Sequence, residues 1–138
     1  MEATIHHTHE VFNQTPPLAD YNLYSANLAL REAVAREGAS WADTWLSDRG
    51  AELGSAEMFE RGIIANKNSP SLKTFDAMGN RADQVEFHPA YHELMSYIKQ
   101  HGGSGGPWSD ARAGAHVARA AYFMMQGEIE MVRCARPP

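Results

Sequence analysis

Apolar residues along the chain recur at three-to-four spacing between short polar breaks, the pattern of helices that each bury one face. Positions 23, 27, 30 and 34 share the first such face. Asp20 predicts its N-cap, Glu32 and Arg36 an i,i+4 pair, and Gly38 the residue just beyond its end. Ser40 and Asp43 resemble a capping box with a shortened acid. They open a second helix through Trp41, Trp45 and Leu46 to about Leu53. Gly54-Ser55 restarts the pattern, which continues with Met58 or Phe59, Ile63 and Ile64 to about Asn66. Asn68-Ser69-Pro70 ends it. Pro89 suits the first turn of a helix from about His88 to Gln100, with Tyr91, Leu94, Met95 and Ile98 facing the core.

Ser109 and Asp110 predict the start of a long fifth helix that reaches about Val132. Its first half is rich in alanine, with Gly114 among them, which permits close helix approach. Val117, Met124 and Met131 extend an apolar stripe, widened by Tyr122, Met125 and Ile129.

Three segments break this rhythm. Residues 1–19 carry only Ile5, Val11, Phe12 and Leu18 as larger apolar groups, and Pro16-Pro17 holds their end extended. In residues 71–87, Leu72, Phe75, Val85 and Phe87 flank a polar turn at Gly79-Asn80, as in an irregular excursion or short hairpin. "HGGSGGP" at 101–107 reads as a flexible linker. A phosphate-cradling loop would need a preceding strand and a Lys-Ser/Thr ending. The expected architecture is therefore all-α: an extended arm over 1–19, then a helical domain over 20–138 of about five helices interrupted near 71–87.

A length of 138 residues suits one domain, and 43% hydrophobic with 21% charged residues is ordinary for a globular one. A formal charge of -5 argues against direct nucleic-acid binding, which needs a basic surface. Cys134 is the single cysteine, so no intramolecular disulfide forms and a reducing compartment is the simplest setting. The N-terminus has neither a basic nor an apolar leader region, and no apolar run approaches a membrane span. The expectation is a cytoplasmic protein.

Candidate chemistry is sparse. His88 and His92 stand four apart with Glu93 beside them, at a spacing that could hold zinc on a helix. Pro89 occupies the place where the metalloprotease pattern requires glutamate, and it also pushes His88 off helical dihedrals. A third ligand, His101 or His116, is not placed nearby by spacing, so both histidines are read as capping or packing groups. "HHTH" at 6–9 reads as a solvated arm rather than a metal site. Cys134, between Arg133 and Arg136, reads as a free thiol. Trp41 and Trp45 at helical spacing read as packing anchors. Met124-Met125 reads as core filling, with an apolar ligand pocket as the alternative.

"HEVFNQTPPLADYNLY" (9–24), "EAVAREGASW" (32–41), "FHPAYHELM" (87–95) and "DARAGAHVARAAYFMMQGEIE" (110–130) resemble one branch of the acyl-CoA dehydrogenase superfamily, the AidB-like alkylation-response flavoproteins. The resemblance runs in order from about residue 9 to 134. It implies the all-α N-terminal domain of a longer protein, followed in the family by a middle β domain and a C-terminal helical domain. The chain would stop about where its last helix enters the β domain. Cys134 would match a family cysteine there, while residues 135–138 depart from the family's Cys-Pro and Met-Thr pattern. FAD and the catalytic carboxylate would then belong to the missing segments, and acyl-CoA would bind only together with them, in a cavity that this domain closes on one side, so no catalytic, cofactor-binding or metal-ligating residue is assigned here. The resemblance further implies a homo-oligomer in which the arm aids subunit packing, with "FHPAYH" near the cavity rim. The competing expectation is a stand-alone helical oligomerisation or interaction module without enzyme activity.

Overall fold

The computed structural model of the protein describes residues 12–129. The expectations for "HHTH", Met131, Val132 and Cys134 lie outside them. Residues 12–19 contain no helix or strand and are largely exposed. Six α-helices and one two-stranded hairpin follow among the described residues, which confirms the all-α reading with a β excursion.

Helix α1 spans Leu28–Arg36 and starts seven residues later than Asp20 predicts. Its N-cap is Asn27, whose side chain accepts from the Leu30 amide at 3.0 Å. Asp20 instead caps a different helix. It sits at φ 57°, and its carboxylate accepts from the Ala56 amide at 2.9 Å. Between them, residues 21–26 form turns laid along the next helix, where the Leu23 amide donates to the Gly50 carbonyl. Leu23 and Tyr24 are buried there, so the three-to-four spacing is real but spans a turn and a helix. At the far end Gly38 adopts φ 79°. The Ala39 amide then reaches the Val34 carbonyl at 2.9 Å, the six-residue closure that a left-handed glycine makes possible.

A 3-10 turn at Ser40–Ala42 leads into α2, Asp43–Leu53. The expected capping box does not form, because α2 begins without a side-chain cap and the Asp43 carboxylate accepts from the buried Tyr24 hydroxyl at 3.0 Å. Helix α3 spans Ala56–Lys67 behind Ser55, whose hydroxyl accepts from the Met58 amide. Strands β1 (Ser71–Phe75) and β2 (Arg81–Glu86) pair antiparallel, with Leu72 opposite Val85 and a register shift between Lys73 and Phe75. Every residue of both strands is exposed.

Helix α4, Pro89–Gln100, follows the predicted bounds. The expected linker at 101–107 is instead ordered: Gly102 turns at φ 73°, and the Gly103 carbonyl accepts from Arg119 Nε at 2.9 Å. The four-residue α5, Gly106–Ser109, follows directly, so Ser109 ends one helix rather than capping the next. Helix α6 begins only at Ala115, after a left-handed Gly114, and runs to Glu128.

The core lies among α2, α3, α4 and α6, with Leu46, Leu53, Leu94, Tyr122, Met125 and Ile129 fully buried. Each such aliphatic side chain contributes roughly 1.5–3 kcal/mol through loss of apolar surface to water. The buried face of α6 is Ala115, Ala118, Ala121, Tyr122 and Met125. This corrects the expected stripe: Val117 is half-buried and Met124 is 58% exposed, while Tyr122, Met125 and Ile129 form the core. The alanines turn inward because α6 crosses α2 closely, and that rotation carries Phe123 and Met124 outward.

Candidate functional site: an aromatic cleft with two arginines

Trp41 and Trp45 lie four residues apart across the 3-10 turn and α2, so both indoles face one side. Opposite them on α6 are Ala115 and Ala118, three residues apart and too small to fill the space. Gly102, Gly106 and Pro107 close the third side. The result is a cleft of about 400 Å³.

Its polar groups are held in place. Trp41 Nε1 donates to the Ala113 carbonyl at 2.9 Å, and the Arg112 guanidinium lies 3.8 Å from the Trp41 ring centre. Arg112 Nε also bonds the Asp110 carboxylate at 2.8 Å. Arg119 is anchored by its Nε on Gly103 and lies 5.5 Å from the ring of Trp108, whose edge meets His116. His101 contributes a ring whose Nδ1 is 2.8 Å from the Tyr97 carbonyl oxygen. Asp110 balances one arginine. Arg119 has no acidic partner among the described residues, so the cleft carries net positive charge within a protein of formal charge -5.

Behind the cleft, Trp45 packs on Tyr122 with ring centres 5.2 Å apart. Nearby, the Tyr97 hydroxyl donates to Glu52, which also pairs with Arg49 at 2.7 Å. Burial, then the bond to Glu52, pushes the Tyr97 phenol far above its ordinary range, and burial pushes Tyr122 up to about 12. These phenols stay protonated at neutral pH and are not poised as bases. Arg49 Nε, Tyr122 Oη and Gln126 Nε2 are buried without a well-formed hydrogen bond.

The histidines weighed in the sequence fall elsewhere. His88 is the N-cap of α4, with its Nδ1 accepting from the Ala90 amide at 3.2 Å, and His92 packs edge-on against Phe87 and Tyr91. Both therefore have the capping and packing roles that the sequence indicates. Among the described residues no group of three histidine, cysteine or acidic side chains could hold a metal ion. Met124 and Met125 lie on different faces of α6, one exposed and one in the core. Trp45 is the expected packing anchor but doubles as a cleft wall with Trp41. Sequence reasoning missed Arg112 and Arg119, and the only signal for them was a pair of arginines flanking small residues opposite two tryptophans.

The family model described as "Adaptive response protein AidB N-terminal domain" matches residues 13–136. AidB of Escherichia coli (strain K12), a candidate acyl-CoA dehydrogenase, is 49% identical over 124 residues. That match covers 89% of this chain and 23% of the relative. The crystal structure of Caenorhabditis elegans ACDH-11 in complex with C11-CoA shares the fold with a TM-score of 0.73 at 19% identity, over 93% of this chain and 22% of that one. The chain thus spans under a quarter of the length of these proteins.

Proposed function

Since the chain belongs to the AidB N-terminal domain family, we propose that it serves as the first helical domain of a flavin-dependent, acyl-CoA dehydrogenase-like protein. The parent protein would act in acyl-CoA oxidation or in protection against DNA alkylation, in the cytoplasm. The observation that carries this reading is the 49% identity to AidB across nearly the whole chain. Residues 1–19 are the arm and 20–138 the helical domain in this proposal. Acyl-CoA is engaged only together with the remaining domains, and this chain does not itself contact nucleic acid.

The described residues do not fit FAD, the cofactor on which acyl-CoA dehydrogenases generally depend. A cleft of about 400 Å³ is at the small end of ligand pockets and cannot enclose a dinucleotide. The Gly-rich 101–107 segment follows a helix and opens one of only four residues, so it offers no dinucleotide cradle. The domain's contribution is accordingly packing rather than chemistry. Phe12, Leu18, Phe123 and Met124, all exposed, support a homo-oligomer in which such surfaces become covered.

A second reading, a stand-alone oligomerisation module, draws on the hairpin, whose Leu72, Phe75 and Met78 project into solvent. Both readings predict that the chain mixed with FAD and gel-filtered retains no flavin absorption band. Stoichiometric flavin on the chain alone would refute both.

A further inference from the structure

The cleft of Trp41 and Trp45 has features that a purely structural domain does not require. Its walls are flat aromatic faces, its floor is alanine, and its guanidinium groups are held in position before any ligand arrives. We propose that it binds a small organic monoanion with a flat apolar body, an aromatic carboxylate in chemical class. The ring would lie between the indoles and Pro107, and the carboxylate would meet Arg119.

The assignment to Arg119 follows from hydrogen bonding and charge. Its Nε is committed to Gly103, which fixes the plane of the fork, and no carboxylate of the described residues occupies its terminal nitrogens. A planar fork with free N–H groups suits a bidentate carboxylate better than a point charge does. Arg112 lies at the rim, balanced by Asp110 and stacked on Trp41, which leaves Arg119 as the uncompensated charge. Pre-positioned side chains lower the ordering cost of binding. A volume of about 400 Å³ admits a two-ring ligand but not a nucleotide cofactor. This site does not depend on the reading of the chain as part of a flavoprotein, and either can fail alone.

The test uses 2-naphthoate and its uncharged counterpart 2-naphthalenemethanol, titrated calorimetrically into the 138-residue protein, with the indole N–H signals of Trp41 and Trp45 followed by NMR. The proposal predicts one saturable site that shifts both indole signals, with the acid bound about tenfold more tightly than the alcohol, a difference of about 1.4 kcal/mol. Arg119→Gln should erase that preference while leaving alcohol binding in place, which shows that the cleft survives the substitution. Arg119→Lys should retain part of the preference. No saturation by about 10 mM naphthoate, equal binding of acid and alcohol by the unaltered protein, or an undiminished preference in Arg119→Gln would each overturn the proposal.

Discussion

Gly62 shows how much can rest on one missing methyl group. A Cβ there would lie 2.1 Å from the Ile129 carbonyl oxygen, so at this point the backbone of α3 comes directly against the backbone at the end of α6. Gly62→Ala should destabilise the protein by at least about 2 kcal/mol, since backbone on both sides would have to move. Thermal unfolding read by circular dichroism checks this, and an unchanged midpoint would contradict it. A second expectation concerns the buried phenols. Burial and the bond to Asp43 raise Tyr24 to about 12, and burial raises Tyr122 to about 12. The folded state holds these protons more tightly than the unfolded chain, whose phenols titrate near 10. Stability is therefore fully present below about pH 10 and declines as pH rises towards 12. Absorbance at alkaline pH should show these tyrosines ionising together with unfolding rather than before it. At this scale the sequence is legible where a residue acts on its own neighbours: Gly38 closes α1 and His88 caps α4 as the spacing indicates. It is not legible for Asp20, because a carboxylate that caps a helix 36 residues away looks the same as one that caps its own.

Periodicity locates most elements, since burial of one face dominates the choice of helix. It fails between α4 and α6. Residues 101–114 hold positive-φ turns at Gly102 and Gly114 and a four-residue helix, and the order of this segment depends on Arg119 and Gly38 rather than on local pattern. The hairpin is the opposite case. Its turn is organised locally by Asp76, whose carboxylate accepts from the amides of Met78 and Asn80, both at 2.8 Å. Bonds from the Asn80 side chain, then its amide, hold the Asp76 carboxyl below its ordinary value. The turn is thus supported above that value and loosens as pH falls through the lowered one. Amide exchange should reveal fraying of Arg81–Glu86 on acidification, or in Asp76→Ala at neutral pH, while helical ellipticity stays constant. Loss of helix in step with the hairpin would mean that the two are one cooperative unit.

At the scale of the whole molecule, the helical architecture is visible in the sequence and the cleft is not. Trp41 and Ala113 meet across 72 positions, and nothing in the one-dimensional pattern couples them. Exposed apolar groups on the hairpin and on α6 lead us to expect self-association, so sedimentation should give a dimer or larger species at micromolar concentration. A sharp monomer would contradict that. In the proposed function this domain supplies packing to a flavoprotein whose chemistry lies elsewhere. The most direct test of that role is a chimera in which residues 13–136 replace the matching segment of Escherichia coli AidB, followed by the flavin absorbance of the purified product. The expected product is soluble and carries as much flavin as the unaltered relative purified beside it. A folded chimera with less flavin than the relative, or one that cannot fold although the unaltered relative does, would contradict this reading.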